Sequence, residues 1–336
     1  MALEKVITFD WGQDGEGGFS KNGTTYETSI VRTGSRSIKL GNFSSDFYNY
    51  VLVPLDTALS EFYLQFGYYL SGGSQTNTRA MLAWRKGSTI LGGLKLNTVN
   101  ILEIWTGNFV TKVAESSTPI PAAQWVVVEV YIKIADSGGV ITLRQDMTEV
   151  ATFSGDTKPG ADTDVNYLIF GQANTTYSYF DDIVVHSTSG AANNSWPGGV
   201  KALLCLPNGD GSTLQWTPTP SGTHYSTVDE APPSGTDYLQ VGTVDQVDEL
   251  DFADLPSEAF SLKAVVAEAW ALKGSSTPPT RLAFGLKIGG DSYFSGDKDL
   301  PTAQGFVQHI WNENPAGGNF SVSGVNAAKL LLKSRT

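Results

Sequence analysis

Cysteine is nearly absent from this chain, charge is scarce, and long hydrophobic runs are missing. A single cysteine, Cys205, excludes an internal disulfide, so the fold was not built around oxidative cross-links. Charged residues make up 17% of the 336 residues, below the roughly 25% of ordinary soluble domains. No apolar run approaches the ~20 residues that a helix needs to cross a bilayer. These absences exclude a disulfide scaffold and predict no membrane insertion.

Basic residues are also outnumbered, since the formal net charge is −12. A surface this acidic is repelled by phosphate backbones, so we expect no nucleic-acid partner. A broad acidic surface usually serves solubility, and a cation site is the alternative interpretation. The N-terminal stretch MALEKVITFDWG has no apolar region of the signal-peptide kind, so we expect synthesis in a cytoplasm without a standard secretion signal.

Turn residues and aromatics are what the chain has in abundance, with 36 Gly, 8 Trp, 13 Tyr and 16 Phe. Apolar and polar residues alternate in many short runs that end at turn signals. The strongest of these runs is 125–134, in which one face is aliphatic and the other mixes aromatic and charged residues. This pattern predicts an all-β fold of two β-sandwich or jelly-roll-like domains in series.

The predicted boundary lies around a stretch that is rich in Ser, Gly and Asn. A strand at 180–186 ends the first domain, residues 188–199 form a linker, and a new strand at 200–206 opens the second domain. The domains are therefore predicted as 1–187 and 200–336. Within the second, residues 260–273 have helical propensity but also alternate, and we favour a strand.

Aromatic side chains that could stack on sugars recur in the first domain. The wider set is Phe62, Tyr68, Tyr69, Trp84, Trp105, Tyr177 and Tyr179, although most Trp residues are expected to be core. We select Trp84, Trp105, Tyr177 and Tyr179 as the candidate glycan-binding residues. A retaining glycosidase would need two acids about 5 Å apart, whereas Glu103 and Glu129 each stand alone on their strands. The sequence therefore predicts no enzyme.

Acidic residues at two places invite a test for calcium. Asp181 and Asp182 begin the strand that closes the first domain, and a Ca²⁺ site that uses one of these carboxylates together with loop carbonyls is one interpretation of the pair. The run Asn208–Gly211 superficially resembles a calcium loop but lacks the later acids, so it predicts a turn. Cys205 lies in the apolar run ALLCL and is predicted to be a small core residue rather than a nucleophile. No other cofactor is indicated.

Two resemblances extend this interpretation. Residues 1–187 resemble a concanavalin A-like (laminin G-type) jelly roll, through Phe9-Asp10, the stretch Arg32–Leu40, the strand Trp125–Val130 and the closing Phe180–Val185. This resemblance implies that Asp181 and Asp182 cap backbone amides near the end of the sheet, and we favour this role over the Ca²⁺ site. The second part resembles a segment found in structural proteins of tailed bacteriophages. The matching runs are Asn194–Gly198, Leu206–Gly211, Gln215–Pro218, Tyr225, Val228–Pro233, Asp254–Pro256, Trp311–Pro315 and Val325–Ala327.

The second resemblance implies a bacteriophage virion component exposed on the particle, as a capsid decoration, a fibre or a tail-fibre part. Its partners would be other virion proteins, its copies would form homo-oligomers, and its location would be the virion. Host attachment through a surface glycan is an added role for the jelly roll. The competing hypothesis is a carbohydrate-binding lectin or a glycoside hydrolase of the jelly-roll fold.

Overall fold

The structure is a computed structural model that describes residues 3–41, 46–73, 76–171, 176–257, 260–274 and 276–336. The chain divides into two compact units, residues 1–202 and 203–336. Almost all of its regular structure is β, as predicted. No helix among the described residues is long and apolar enough to span a membrane.

The first unit is a β-sandwich. Its strands are β1 (Leu3–Ile7), β2 (Ser20–Asn22), β3 (Thr24–Glu27), β4 (Ser37–Leu40), β5 (Tyr50–Leu59), β6 (Glu61–Leu70), β7 (Arg79–Lys86), β8 (Thr89–Leu96), β9 (Ile101–Thr106), β10 (Thr111–Pro119), β11 (Trp125–Lys133), β12 (Gly139–Gln145), β13 (Thr148–Gly155), β14 (Val165–Phe170) and β15 (Ser178–Ser187). A 3₁₀ turn, Glu16–Gly18, lies between β1 and β2.

These strands form two antiparallel sheets. Sheet I has the order β13-β12-β11-β6-β15-β4-β3, with β1 also paired to β15. Sheet II has the order β10-β9-β8-β7-β14-β5-β2. Consecutive strands alternate between the sheets in several places, which is the connectivity expected of a jelly roll.

The core of the first unit lies between the two sheets. Phe66 of β6 and Phe180 of β15 contact Phe170 of β14, with ring centroids 5.3 and 5.4 Å apart. Each of these rings is completely buried. Because successive side chains of a strand point to opposite faces, burial of these residues directs their neighbours to the outer face of each sheet.

The second unit is smaller and less regular. Its strands are β16 (Pro207–Leu214), β17 (Thr217–Thr219), β18 (Tyr238–Gln240), β19 (Val247–Phe252), β20 (Val265–Ala271), β21 (Arg281–Ile288), β22 (Asp291–Phe294), β23 (Lys298–Asp299), β24 (Gly305–Trp311) and β25 (Lys329–Arg335). A 3₁₀ turn, Tyr225–Thr227, and one short helix, α1 (Val322–Asn326), complete it.

One sheet of the second unit has the order β16-β19-β25-β21-β22, with β23 beside β21, and the pairs β17-β18 and β20-β24 stand apart from it. Its core gathers Leu250, Phe284, Val307, Trp311 and Leu332. Cys205 packs against this core. The strand predicted within 260–273 is present as β20.

Two local predictions for the second unit are wrong. Residues 201–206 have no strand geometry, and the first strand begins at Pro207. The predicted turn at 208–211 is part of β16, where irregular pairing with β19 accommodates two Gly residues. Within this strand, Asp210 fixes the loop that contains the 3₁₀ turn, because its carboxylate accepts hydrogen bonds from the backbone N–H groups of His224 and Tyr225. The glycines that predict a turn at 208–211 therefore form bulges within β16 instead.

Candidate functional site

The four residues predicted to bind a glycan do not lie together. Trp84 of β7 points into the core with none of its surface exposed, so it offers no face to a sugar. Trp105 of β9 lies on the outer face of sheet II, because it is paired with Gly93 in the row next to the inward-facing Leu94 and Ile104. Tyr177 and Tyr179 lie at the outer face of sheet I. The prediction therefore separates into two surfaces and one core residue.

The outer face of sheet I carries a row of aromatic side chains in cross-strand register. Trp125 of β11 is paired with Tyr69 of β6, which is paired with Tyr179 of β15. The centroid of the Tyr69 ring lies 5.5 Å from that of Trp125 and 5.5 Å from that of Tyr179. Tyr179 is paired in turn with Lys39 of β4. We call Trp125, Tyr69, Tyr179 and Lys39, with Tyr177 beside them, the aromatic row.

Charge is concentrated at one end of the aromatic row. The Lys39 ammonium lies 4.2 Å from the ring centroid of Tyr177 and forms an ion pair with Glu27 at 3.7 Å. Hydrogen bonds from Ser29 hold the pKa of Glu27 below its usual value, with Lys39 adding to the effect. Tyr177 is 45% exposed, whereas Tyr179 is 3% exposed and burial raises its pKa. Aromatic faces beside a fixed ion pair make an amphipathic surface.

Strand alternation explains how the sequence builds this row. Tyr68, Val126 and Phe180 lie in the core. Tyr69, Trp125 and Tyr179 adjoin them in sequence and therefore face outward. The alternation in 125–134 already separates Trp125 from the aliphatic face. The sequence pattern alone does not identify Trp125 as a candidate glycan-binding residue, because only the pairing of β11 with β6 brings it beside Tyr69.

The segment 195–202 lies across the middle of the same outer face, and we call it the strap. Trp196 packs on Tyr63 and Tyr131, with ring centroids 5.1 and 6.3 Å apart, and Arg144 lies 3.8 Å from its ring centroid. The strap was predicted as linker and as the start of a strand. It belongs instead to the first unit, which extends to residue 202.

Backbone groups of the strap satisfy polar side chains of sheet I. The N–H of Gly198 donates to Glu129 Oε1 at 2.6 Å, and the N–H of Gly199 donates to Gln65 Oε1 at 2.9 Å. Gln65 Nε2 donates back to the Val200 carbonyl at 2.8 Å. Glu129 is fully buried, and this burial raises its pKa. The strap thus hides the carboxylate that stands alone on β11.

Asp181 and Asp182 hold the strap and the loop before β4 in place. Asp181 accepts hydrogen bonds from the backbone N–H groups of Arg32 and Thr33, at 2.9 and 3.3 Å. Asp182 forms an ion pair with the Arg32 side chain and accepts from the N–H of Ala202 at 2.9 Å. Burial and the adjacent Asp182 raise the pKa of Asp181. This is the amide-capping geometry that the jelly-roll resemblance implies for the pair.

The same contacts leave the pair poorly suited to calcium. Each of the four carboxylate oxygens already accepts a hydrogen bond or an ion pair. The Arg32 guanidinium would also repel a second cation at this position. Within the described residues, no group of three or more His, Cys, Asp or Glu side chains could hold a metal ion.

Trp105 lies in a different environment on sheet II. Its indole Nε1 donates to Glu103 Oε2 at 3.0 Å, and Glu103 Oε1 forms an ion pair with Lys112 at 3.1 Å. Lys95 lies 4.3 Å from the centroid of the Trp105 ring. Glu103 therefore orients the indole, and the cation of Lys95 covers part of one ring face.

Among the described residues of the second unit, His224 and Asp248 form a His–carboxylate pair. His224 Nδ1 lies 2.7 Å from Asp248 Oδ2, and Asp248 Oδ1 accepts from the backbone N–H groups of Gln215 and Trp216. Among the described residues, no hydroxyl or thiol is hydrogen-bonded to the other ring nitrogen of His224. The pair joins three chain segments, which is a structural role.

Comparisons with known proteins give no family. No protein-family model matches the chain, and no curated protein matches it. Similar solved structures exist. One is "Cellulose induced protein, Cip1", with a TM-score of 0.43 and 11% identity, over 59% of this chain and 100% of that chain. Another is the carbohydrate-binding module CBM66 from Bacillus subtilis, with a TM-score of 0.35 and 13% identity, over 52% of this chain and 98% of that chain.

A third is a Bacillus subtilis protein with a galectin-like fold, with a TM-score of 0.38 and 12% identity, over 55% of this chain and 98% of that chain. Likenesses at this level carry no argument about function. Nothing in them points to a virion protein. The β-sandwich assignment therefore depends on the strand pairing described above.

Proposed function

We propose that the first unit is a non-catalytic carbohydrate-binding module whose ligand stacks on the aromatic row of sheet I. The observation that supports this proposal is that the register of β11, β6 and β15 lines up Trp125, Tyr69 and Tyr179. Trp125, Tyr69 and the neighbouring Tyr177 keep exposed surface for a sugar, whereas Tyr179 is only 3% exposed and packs edge-on against Tyr69. Adjacent strands lie about 4.8 Å apart, which is close to the length of one pyranose ring. A short stretch of glycan can therefore contact several rings of the row.

Polar groups at the end of the row would fix the orientation of the bound sugar. Carbohydrate sites combine flat apolar surface with a few oriented donors and acceptors. Lys39 and Glu27 are held together by their ion pair and supply both kinds of group. The role is binding rather than cleavage, since Glu129 lies under the strap and its Oε1 is occupied by Gly198.

The test is a glycan array with the full-length chain, followed by titration calorimetry on the sugars that are retained. Trp125→Ala and Tyr177→Ala should each weaken binding about 10-fold, because each removes an aromatic contact worth roughly 1–1.5 kcal/mol. Tyr238→Ala is the matched control, since Tyr238 is 43% exposed but belongs to the second unit. Its affinity should equal that of the unchanged protein.

Silence across the array would remove the proposal, and so would binding that survives the loss of both Trp125 and Tyr177. Circular dichroism of each variant would establish that the sandwich is intact. The virion role and the oligomeric assembly stay predictions from the sequence resemblance. Their own test is the detection and copy number of this chain in purified particles.

A further inference from the structure

The outer face of sheet II has a floor of small residues between larger ones. In cross-strand register, Leu52 is followed by Ile169, Ala83, Gly93 and Trp105. The neighbouring row holds Ala80 and Lys95. Ala83 and Ile169 are 0% and 6% exposed, although neither belongs to the core between the sheets. The small residues therefore form a trough across the centre of this face. Because Ala83 and Ile169 are not exposed, other side chains must cover the trough.

Two phenylalanines cover the trough. A Cβ atom added to Gly93 would lie 2.5 Å from Phe109 Cζ, and one added to Gly171 would lie 2.8 Å from Phe47 Cδ1. Each ring thus lies directly against a glycine, which is Gly93 of the floor for Phe109 and Gly171, directly after β14, for Phe47. The two ring centroids are 6.1 Å apart. The rings come from two different loops, one before β5 and one between β9 and β10.

Both phenylalanines have strained backbone. Phe47 has φ 53° and Phe109 has φ 63°, in the left-handed region that bulky side chains rarely adopt. Asn108 beside Phe109 also has a positive φ, of 54°. Strain of this kind concentrates at ligand clamps and switch segments, because it is released when the segment moves. The covering rings are therefore held in a state of raised energy.

Two cations border the trough without a carboxylate partner. Lys95 lies 4.3 Å from the Trp105 ring centroid and 4.9 Å from that of Phe109. Arg85 lies 5.2 Å from the Tyr167 ring centroid, and its Nε is buried without a hydrogen-bond partner. Neither cation forms an ion pair with any described residue. In a chain with 34 acidic and 22 basic residues, unpaired cations on one face are notable.

We propose that this trough is a second binding site, for an acidic saccharide that carries carboxylates, as in a uronic acid chain. Carboxylates of the ligand bind Lys95 and Arg85, which lie on opposite sides of the Ala83–Gly93 row, and a sugar ring stacks on Trp105. Phe47 and Phe109 leave the floor when the ligand enters. This site is on the opposite sheet from the aromatic row and does not depend on it.

The test is titration calorimetry of the full-length chain that carries Trp125→Ala, so that the aromatic row does not contribute, with oligogalacturonate and, in parallel, with a neutral oligosaccharide of equal length. The acidic ligand should bind, and the neutral one should bind at least 10-fold more weakly, since a charge-assisted hydrogen bond is lost at each cation. Lys95→Gln should weaken binding of the acidic ligand about 10-fold or more. Lys133→Gln makes the same charge change on sheet I and should leave affinity unchanged.

Phe109→Gly tests the covering ring, because glycine tolerates the positive φ and opens the trough. It should strengthen binding of the acidic ligand several-fold, since the closed conformation no longer competes. Equal binding of both ligands, an unchanged affinity of folded Lys95→Gln, or weaker binding by Phe109→Gly would each overturn the proposal. Trp125→Ala separates the two sites, since it should reduce binding at the aromatic row only.

Discussion

At the scale of single residues, the first unit is notable for a buried ion pair that joins distant parts of the chain. Asp182 is fully buried, and the Arg32 side chain is 8% exposed. Gly67 of β6 has no side chain, which makes room for the pair, because a Cβ there would lie 2.6 Å from Arg32 Cδ. Gly67 is therefore a point of close contact between β6 and the Arg32 side chain.

Asp182→Asn should lower the free energy of unfolding of the first unit by about 3 kcal/mol, because it leaves the Arg32 cation buried without a counter-charge. Asp136→Asn is the control, since Asp136 is 73% exposed in its ion pair with Lys158 and should cost no more than ~0.5 kcal/mol. Urea unfolding followed by tryptophan fluorescence measures both. Equal effects of the two substitutions would contradict the structural role of Asp182.

The individual site residues could be predicted only in part. Aromatic type and alternation suggested Trp105, Tyr177 and Tyr179, which are on outer faces or beside them. They could not separate Trp84 from these, because Trp84 is on a strand with apolar residues at nearly every position and both faces of β7 are buried in the centre. Nor could they select Phe47 and Phe109, whose positions depend on loop conformation.

At the scale of elements, strand existence was predictable and pairing was not. The run 125–134, which alternates clearly, and the run 180–186 are present as β11 and β15. Their placement on either side of β6 follows from sheet topology, which no local pattern encodes. The aromatic row therefore appears only when three separate strands are brought into register.

The strap shows why amino-acid composition predicted a linker where the chain in fact packs on sheet I. Its Ser, Gly and Pro content is typical of a linker, since such residues gain little by burial. Here Gly198 and Gly199 adopt positive φ angles of 78° and 77°, which glycine tolerates, and in this conformation their backbone N–H groups donate to Glu129 and Gln65. Glycines, which are typical of flexible linkers, here attach the strap to the outer face of sheet I.

A pair of fragments tests the strap. Fragment 1–202 should unfold cooperatively, whereas 1–187, which ends at the predicted domain boundary, should be less stable by several kcal/mol. Without the strap, Glu129, Gln65 and Asp182 each lose a buried hydrogen bond, and every such loss costs about 1–3 kcal/mol. Thermal unfolding by circular dichroism compares them. Equal unfolding midpoints for the two fragments would show that the strap does not stabilise the sandwich.

At the scale of the whole molecule, the two units should differ in their response to acid. His309 of β24 contacts Trp311, with ring centroids 4.5 Å apart, and burial together with Lys298 lowers its pKa to about 4. The folded form therefore binds fewer protons than the unfolded form between the ordinary His value of 6.5 and about 4. Stability is fully present above this window and is lost as the pH falls through it.

Acidification from pH 7 to 4.5 should lower the unfolding midpoint of the second unit, and His309→Gln should reduce that loss. The expected difference is on the order of 1 kcal/mol, because the ring is partly exposed and solvent screens its charge. Calorimetric scans of fragment 203–336 at both pH values measure it. An identical acid response with and without His309 would refute the assignment.

The strap also decides how tension would enter the first unit. A pull applied at residue 203 meets the last hydrogen bond of the strap, from Ala202 to Asp182, before it meets any strand of the sandwich. The load would detach these contacts one after another, as in peeling, while strands that shear together resist collectively. The strap should therefore detach at a lower force than the strands, and its extension would lengthen the chain while both sheets of the sandwich stay folded.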